Sequence, residues 1–90
     1  METQIVTFEI TKPYNEWVMH FEQSRQGLEA SDITVLFRGS QKGDESKVCV
    51  ILQAHEGGLE KFMKANAPMI AESGHVLEST IVNIYKSSGP

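Results

Sequence analysis

Along this chain the period of the hydrophobic pattern switches between two and 3.6 residues in a fixed order, and that order leaves few folds open. In residues 4–10 (Gln-Ile-Val-Thr-Phe-Glu-Ile), Val6, Phe8 and Ile10 alternate with Ile5, Thr7 and Glu9. The segment is rich in β-branched and aromatic residues and reads as a strand. Lys12-Pro13 ends it, and Pro13 suits the opening of a helix, where its missing N–H costs nothing. Tyr14, Trp17, Val18, Phe21, Arg25 and Leu28 then recur at helical spacing. They form a stripe about 100° wide, with Glu16, Glu22, Gln23 and Gln26 on the other side. The helix is expected to stop between residues 26 and 30, with Gly27 as a C-terminal glycine.

Residues 32–38 form a second expected strand, and Gly39–Ser46 carries the two glycines and Asp44 of a hairpin turn. Residues 47–54 return as a third strand whose near-continuous apolar character suits a central position covered on both faces. Gly57-Gly58 breaks the chain. Leu59, Phe62, Met63, Asn66 and Ile70 then share one side of a second helix, and Pro68 within it predicts a kink or two short helices. Gly74 closes that segment, residues 75–85 form the last strand, and residues 86–90 form a frayed tail. The order is β-α-β-β-α-β in one domain over residues 1–90. Right-handed crossovers then predict an antiparallel four-stranded sheet in the order 4-1-3-2 with both helices on one face, the ferredoxin-like α+β arrangement.

Two helices cover only one face of four strands. With Val6, Phe8, Val35, Phe37, Val48, Val50 and Leu52 turned to the helices, the opposite face still carries Ile5, Leu36, Cys49 and Ile51. The last strand adds either Leu77 and Ile81 or Val82 and Ile84. Burying an aliphatic side chain stabilises by roughly 1.5–3 kcal/mol. Five or six together reach on the order of 10 kcal/mol, comparable with the estimated cost of association. A two-fold homodimer is the simplest cover for such a face.

The element order, the two-sided sheet and the runs Ile33-Thr-Val-Leu-Phe-Arg-Gly39 and Lys47-Val-Cys-Val-Ile-Leu52 resemble the dimeric α+β barrel superfamily. Within it they are similar to a small cyanobacterial family of unknown function. The resemblance implies a ferredoxin-like protomer paired sheet to sheet. It implies no single activity, since the superfamily holds cofactor-free monooxygenases, haem-degrading enzymes, aldoxime- and polyketide-processing enzymes, ligand-sensing regulators and stress proteins. The haem-degrading members use an Asn, a Trp and a His in set places. Here the one Trp lies on the first helix and no Asn opens the first strand.

A net charge of −4 and dispersed basic residues argue against nucleic acid and anionic membrane as partners. The single cysteine, Cys49, forms no internal disulfide, and the polar N-terminus with no long apolar run leaves the cytoplasm as the expected location.

The spacing of His, Cys and carboxylates fits no metal pattern, and no cofactor motif is present. His55 and His75 are expected at opposite ends of parallel strands, roughly 25 Å apart, as loop-end histidines. His20 sits on the flank of the first helix. Trp17 reads as core, Met63 and Met69 as gap fillers, and Gly57-Gly58 as a plain loop. His55 with Glu56 forms a weaker acid/base pair at a cleft mouth. Glu9 and Arg38 are expected on the helix-free face at one end of the sheet, about 9.6 Å apart across two strand spacings. They would form an ion pair there or anchor a small ligand. The chain shows no convergent set of titratable groups. The expected function is therefore a non-catalytic ligand-binding, regulatory or stress module. The alternative is a small cofactor-free monooxygenase-like enzyme acting on an aromatic or hydrophobic metabolite.

Overall fold

The computed structural model describes residues 1–89, so Pro90 of the expected tail lies outside the described residues. Four strands, β1 (Glu2–Ile10), β2 (Thr34–Gln41), β3 (Asp44–Ala54) and β4 (His75–Lys86), form one antiparallel sheet in the order β2-β3-β1-β4. This is the expected ferredoxin-like order read from the other edge. Each expected helix is divided in two. The first comprises α1 (Tyr14–Gln23) and α2 (Arg25–Ala30), and the second comprises α3 (Gly58–Ala65) and α4 (Ala67–Glu72).

The division of the second helix follows Pro68, which occupies the first turn of α4. At the junction the Phe62 carbonyl accepts from Asn66 twice, from its side-chain amide at 2.9 Å and from its backbone N–H at 3.1 Å. The first helix ends within the expected interval of residues 26–30, but not at Gly27. It continues to Ala30, and Asp32, at φ 58°, takes the left-handed position instead. The Ile33 N–H then reaches the Leu28 carbonyl at 2.9 Å and the Asp32 N–H reaches Glu29 at 3.0 Å, the paired bonds of a Schellman ending. Gly27, freed from that role, lies inside α2 against the Phe62 ring of α3.

The core lies between helices and sheet. Val6, Phe8 and Ile10 from β1 and Val48, Val50 and Leu52 from β3 are buried beneath Trp17, Leu28 and Leu59. Trp17 is 2% exposed and sits in a run of rings with Phe8, Tyr14 and Phe21 at centroid distances of 5.0–5.7 Å.

Register shifts in β2 and β4 alter the expected facing of side chains. In β2, Val35 pairs with Leu52 but Phe37 pairs with Ile51, so Leu36 is an extra residue. This bulge inverts the alternation beyond it. Phe37, expected under the helices, lies instead on the helix-free side and is 51% exposed. Arg38, expected on the helix-free side, pairs with Val50 on the helix side. In β4, Val76 pairs with Glu9 and Ile81 with Thr7, so residues 77–80 leave the ladder as an excursion opposite Phe8. The resulting register resolves the open choice for the last strand. Ile81 lies on the face of Ile5 and Ile51, whereas Val82 and Ile84 pair with Val6 and Gln4 on the helix side.

β3 is central, as expected, but only its helix side is sealed within the chain. Ile51 and Cys49 on the other side are half-buried.

Candidate functional site

The helix layer does not close completely over the sheet. Between α1–α2 on one side and α3–α4 on the other lies a cleft with a cavity of about 120 Å³. Its floor is Val6, Phe8, Val50 and Leu52. Trp17, Phe21 and Leu28 form one wall, and Phe62, Met63 and Ile70 form the other. An apolar cavity of roughly 150 Å³ admits a benzene-sized molecule, so this cleft matches a small ring or a short branched chain.

Polar groups in the lining are few. The Ser24 hydroxyl donates to the Phe21 carbonyl at 2.6 Å, and the Ser73 hydroxyl donates to the Ile70 carbonyl. His20, half-buried, and Gln23, exposed, also line it. The remaining polar group is His75, which opens β4 opposite Ile10 and is 8% exposed. Its ring lies parallel to Phe8, at 3.7 Å between centroids and 4° between planes. Its Nε2 is 2.7 Å from the Thr80 hydroxyl. Burial pushes the His75 pKa down to about 4, so the imidazole is neutral at pH 7. This corrects the expectation of a loop-end histidine. Nothing local in the sequence marks it, because its burial depends on the Phe8 ring stacked on it, on α4 packed against β4 and on an excursion that returns Thr80 to it.

The sequence-predicted site residues do not converge. Glu9 is exposed on the helix-free face, where its N–H donates to the Ser79 hydroxyl at 2.7 Å. Arg38 is three residues further along the ladder and on the opposite face, so the Glu9–Arg38 pair does not form. Arg38 Nε instead donates to the Glu22 carboxylate at 2.9 Å, tying α1 to the edge strand β2. Partial burial works against its charge. The hydrogen bond to Glu22, that carboxylate's charge and the nearby Tyr14 outweigh that penalty and hold the pKa above its ordinary value. Arg25 approaches the same carboxylate at 3.5 Å and lies over the Phe21 ring. The three charges form a partly exposed tie on the outer flank of α1.

His55 lies outside the cleft, at the end of the sheet opposite His75. It is exposed, with Nε2 3.9 Å from Asp32, rather than paired with Glu56. The remaining candidates, Ile5, Leu36, Cys49 and Ile51, do share a face. Ile5, Cys49 and Ile51 follow its pleat and Leu36 stands at the bulge beside Phe37. Ile81 (59% exposed) and Tyr85 (56%) extend that face along β4. The Phe37 ring folds over Gly39, where a Cβ would stand 2.8 Å from it, so the glycine lets the ring lie flat.

Comparisons with known proteins agree with the architecture. The family model described as "Domain of unknown function (DUF3764)" matches residues 1–87. No curated protein matches the sequence. Among solved structures, a NIPSNAP domain protein from Burkholderia xenovorans shares 13% identity at TM-score 0.67, covering 98% of this chain and 95% of that one. A Caulobacter crescentus protein provisionally named an antibiotic biosynthesis monooxygenase shares 14% at TM-score 0.69, covering 98% and 90%. A dimeric ferredoxin-like protein from an uncultured marine organism shares 10% at TM-score 0.51, covering 100% and 97%. At these identities the likeness is one of fold, and none of the three sources ties the chain to cyanobacteria.

Proposed function

The chain belongs to the DUF3764 family, and from that premise we propose that it works as a homodimer whose protomers each hold one small, mostly apolar molecule in the helix–sheet cleft without transforming it. The observation that carries this reading is the cleft itself: about 120 Å³, walled by aromatic and aliphatic side chains, with a neutral histidine at one end. Pairing through the helix-free face is supported by the exposed rings and aliphatic groups there, and by the dimer named for the marine relative of the same fold.

Catalysis by a cofactor-free monooxygenase-like route is the second reading. It is supported by the same cleft and by the name of the Caulobacter relative. Its difficulty is the base. Removing a proton from a phenol of pKa about 10 onto an imidazole of pKa about 4 runs some six units, or roughly 8 kcal/mol, uphill. That gap favours binding over proton abstraction.

Trp17 is the only tryptophan and lines the cavity, so its emission reports occupancy. Titration with cumene (isopropylbenzene), excited where only the indole absorbs, should shift that emission saturably. At about 100 times the dissociation constant it should stabilise the protein by about 2.7 kcal/mol. Met63→Trp, which fills the cleft, should abolish the thermal shift. No shift with cumene, or an equal shift in Met63→Trp, would remove the cleft from consideration. Oxygen uptake with phenolic compounds that also bind would favour the second reading.

A further inference from the structure

The polar groups of the lining narrow the ligand to a chemical class, given the reading of the cleft as a binding site. Apart from His75, each polar group lining the cavity either has its proton engaged or stands toward the rim. Ser24 and Ser73 donate to helix carbonyls, while His20 is half-buried and Gln23 exposed. His75 is buried and fixed in orientation, flat on Phe8 and bonded through Nε2 to Thr80, and unlike the buried Ser73 it keeps a polar atom without a protein partner among the described residues.

That bond exists because the chain leaves the ladder for it. Residues 77–80 are looped out between the Val76–Glu9 and Ile81–Thr7 pairs. The loop is stapled by Ser79, whose hydroxyl donates to the Val76 carbonyl at 2.6 Å and accepts the Glu9 N–H. Thr80, five residues beyond His75, is thereby returned to its ring. Among the described residues the Thr80 hydroxyl makes no other hydrogen bond, and Nδ1 of His75 has no protein partner. The Thr80 hydroxyl is able to donate or accept; when it donates to Nε2, the single proton of the neutral ring stands on Nδ1, the nitrogen left without a protein partner.

We infer that His75 is the recognition group of the cleft, its Nδ1–H donating to an oxygen acceptor on a small aromatic ligand such as an aryl ketone or aldehyde, with Thr80 as the positioning residue that holds the ring through Nε2 and supplies that bond's proton. The flat Phe8–His75 pair and the rings of Trp17, Phe21 and Phe62 suit the aromatic part, and the lone N–H suits one carbonyl.

The test compares acetophenone with cumene, which have the same number of heavy atoms and differ in the carbonyl. Binding of each is measured by calorimetry to wild type, His75→Phe and Thr80→Val. His75→Phe keeps a flat ring on Phe8 and removes both nitrogens. It should lower the acetophenone-to-cumene affinity ratio about tenfold, chiefly by weakening acetophenone. Thr80→Val should lower the ratio by a smaller factor. Ring ¹⁵N shifts of His75 should show the Nδ1–H tautomer in wild type and a mixture in Thr80→Val, a change that loss of packing alone would not produce.

An unchanged ratio in His75→Phe, or an Nε2–H ring in wild type, would overturn the assignment while leaving cleft binding intact. Failure of both compounds to bind wild type would overturn the cleft reading and this one together.

Discussion

The two faces of the sheet are built from the same strands yet differ in what completes them. On the helix side, Val6, Val48, Val50 and Leu52 are sealed almost entirely by the chain's own helices. On the other side, Ile5, Cys49 and Ile51 are half-covered, and Phe37, Ile81 and Tyr85 each keep more than half of their surface. Apolar area alone therefore does not distinguish them. The helix side is finished within the chain except along β4, where Val82 and Ile84 keep 39% and 55% of their surface, whereas the free side leaves apolar groups open on β1, β2, β3 and β4 alike.

The comparison is broken most directly by placing the same charge on adjacent residues of β3. Val50→Asp puts a carboxylate under the helices with no partner, a cost of several kcal/mol. A domain of this size has roughly 5–13 kcal/mol in total, so circular dichroism should show a largely unfolded or strongly destabilised protein. Ile51→Asp places the charge on the free face. It should leave the fold and convert a two-chain mass to a one-chain mass in light scattering. Equal loss of structure in both variants would mean that the free face is as much a part of the protomer core as the other.

A second, smaller difference concerns titration. The unfolded His75 has a pKa near 6.5 and the folded one about 4, so between these values the unfolded chain holds a proton that the native chain refuses. Stability should fall as the pH drops from 6.5 toward 4 and should be unaffected by this group above that window. Solvent entering the cleft screens part of the cost, leaving about 2 kcal/mol. Denaturant titrations of wild type against His75→Phe isolate this contribution from the carboxylates. A difference that does not change with pH would mean that the ring is open to water.

The bulge offers a finer test. Deleting Leu36 removes the extra residue and restores simple alternation from Val35 through Phe37 to Arg38. Phe37 then stays on the free face and Arg38 on the helix face. The deletion should cost about 1 kcal/mol or less. Amide exchange should show β2 still paired with β3. A large loss would show that the bulge sets the bend of the edge strand as well as its facing.

The smallest effect is expected at the tie on the flank of α1. Arg38→Met removes a partly exposed ion pair with Glu22, and such pairs contribute between about 0.2 and 1 kcal/mol. A melting-temperature change equal to that of Trp17→Ala, for which about 3–5 kcal/mol is expected, would assign Arg38 a part in the core.

Much of the architecture was legible because it depends on local rules. Alternation marked the strands, the stripe from Tyr14 to Leu28 marked the first helix and its buried Trp17, and Pro68 marked the division between α3 and α4. Short right-handed crossovers then allowed essentially one sheet order. The candidate site was legible only as a set of apolar faces. Its buried histidine carries no local mark, because a histidine at a strand end looks the same in sequence whether it faces solvent or a cleft.

Tertiary structure decided where local rules are silent. Leu36 carries no mark of a bulge, since Val35, Leu36 and Phe37 suit either face, and a single extra residue sends Phe37 through Ser40 to the opposite side. That parity change parted Arg38 from Glu9 and gave it to Glu22. The four-residue excursion in β4 likewise has no local signature, yet it carries Thr80 to His75. Periodicity follows from the backbone of each segment, so the sequence by itself determined the elements and their order. Register follows from which neighbours a strand finds, so only the packed sheet determined which side chains meet in the cleft.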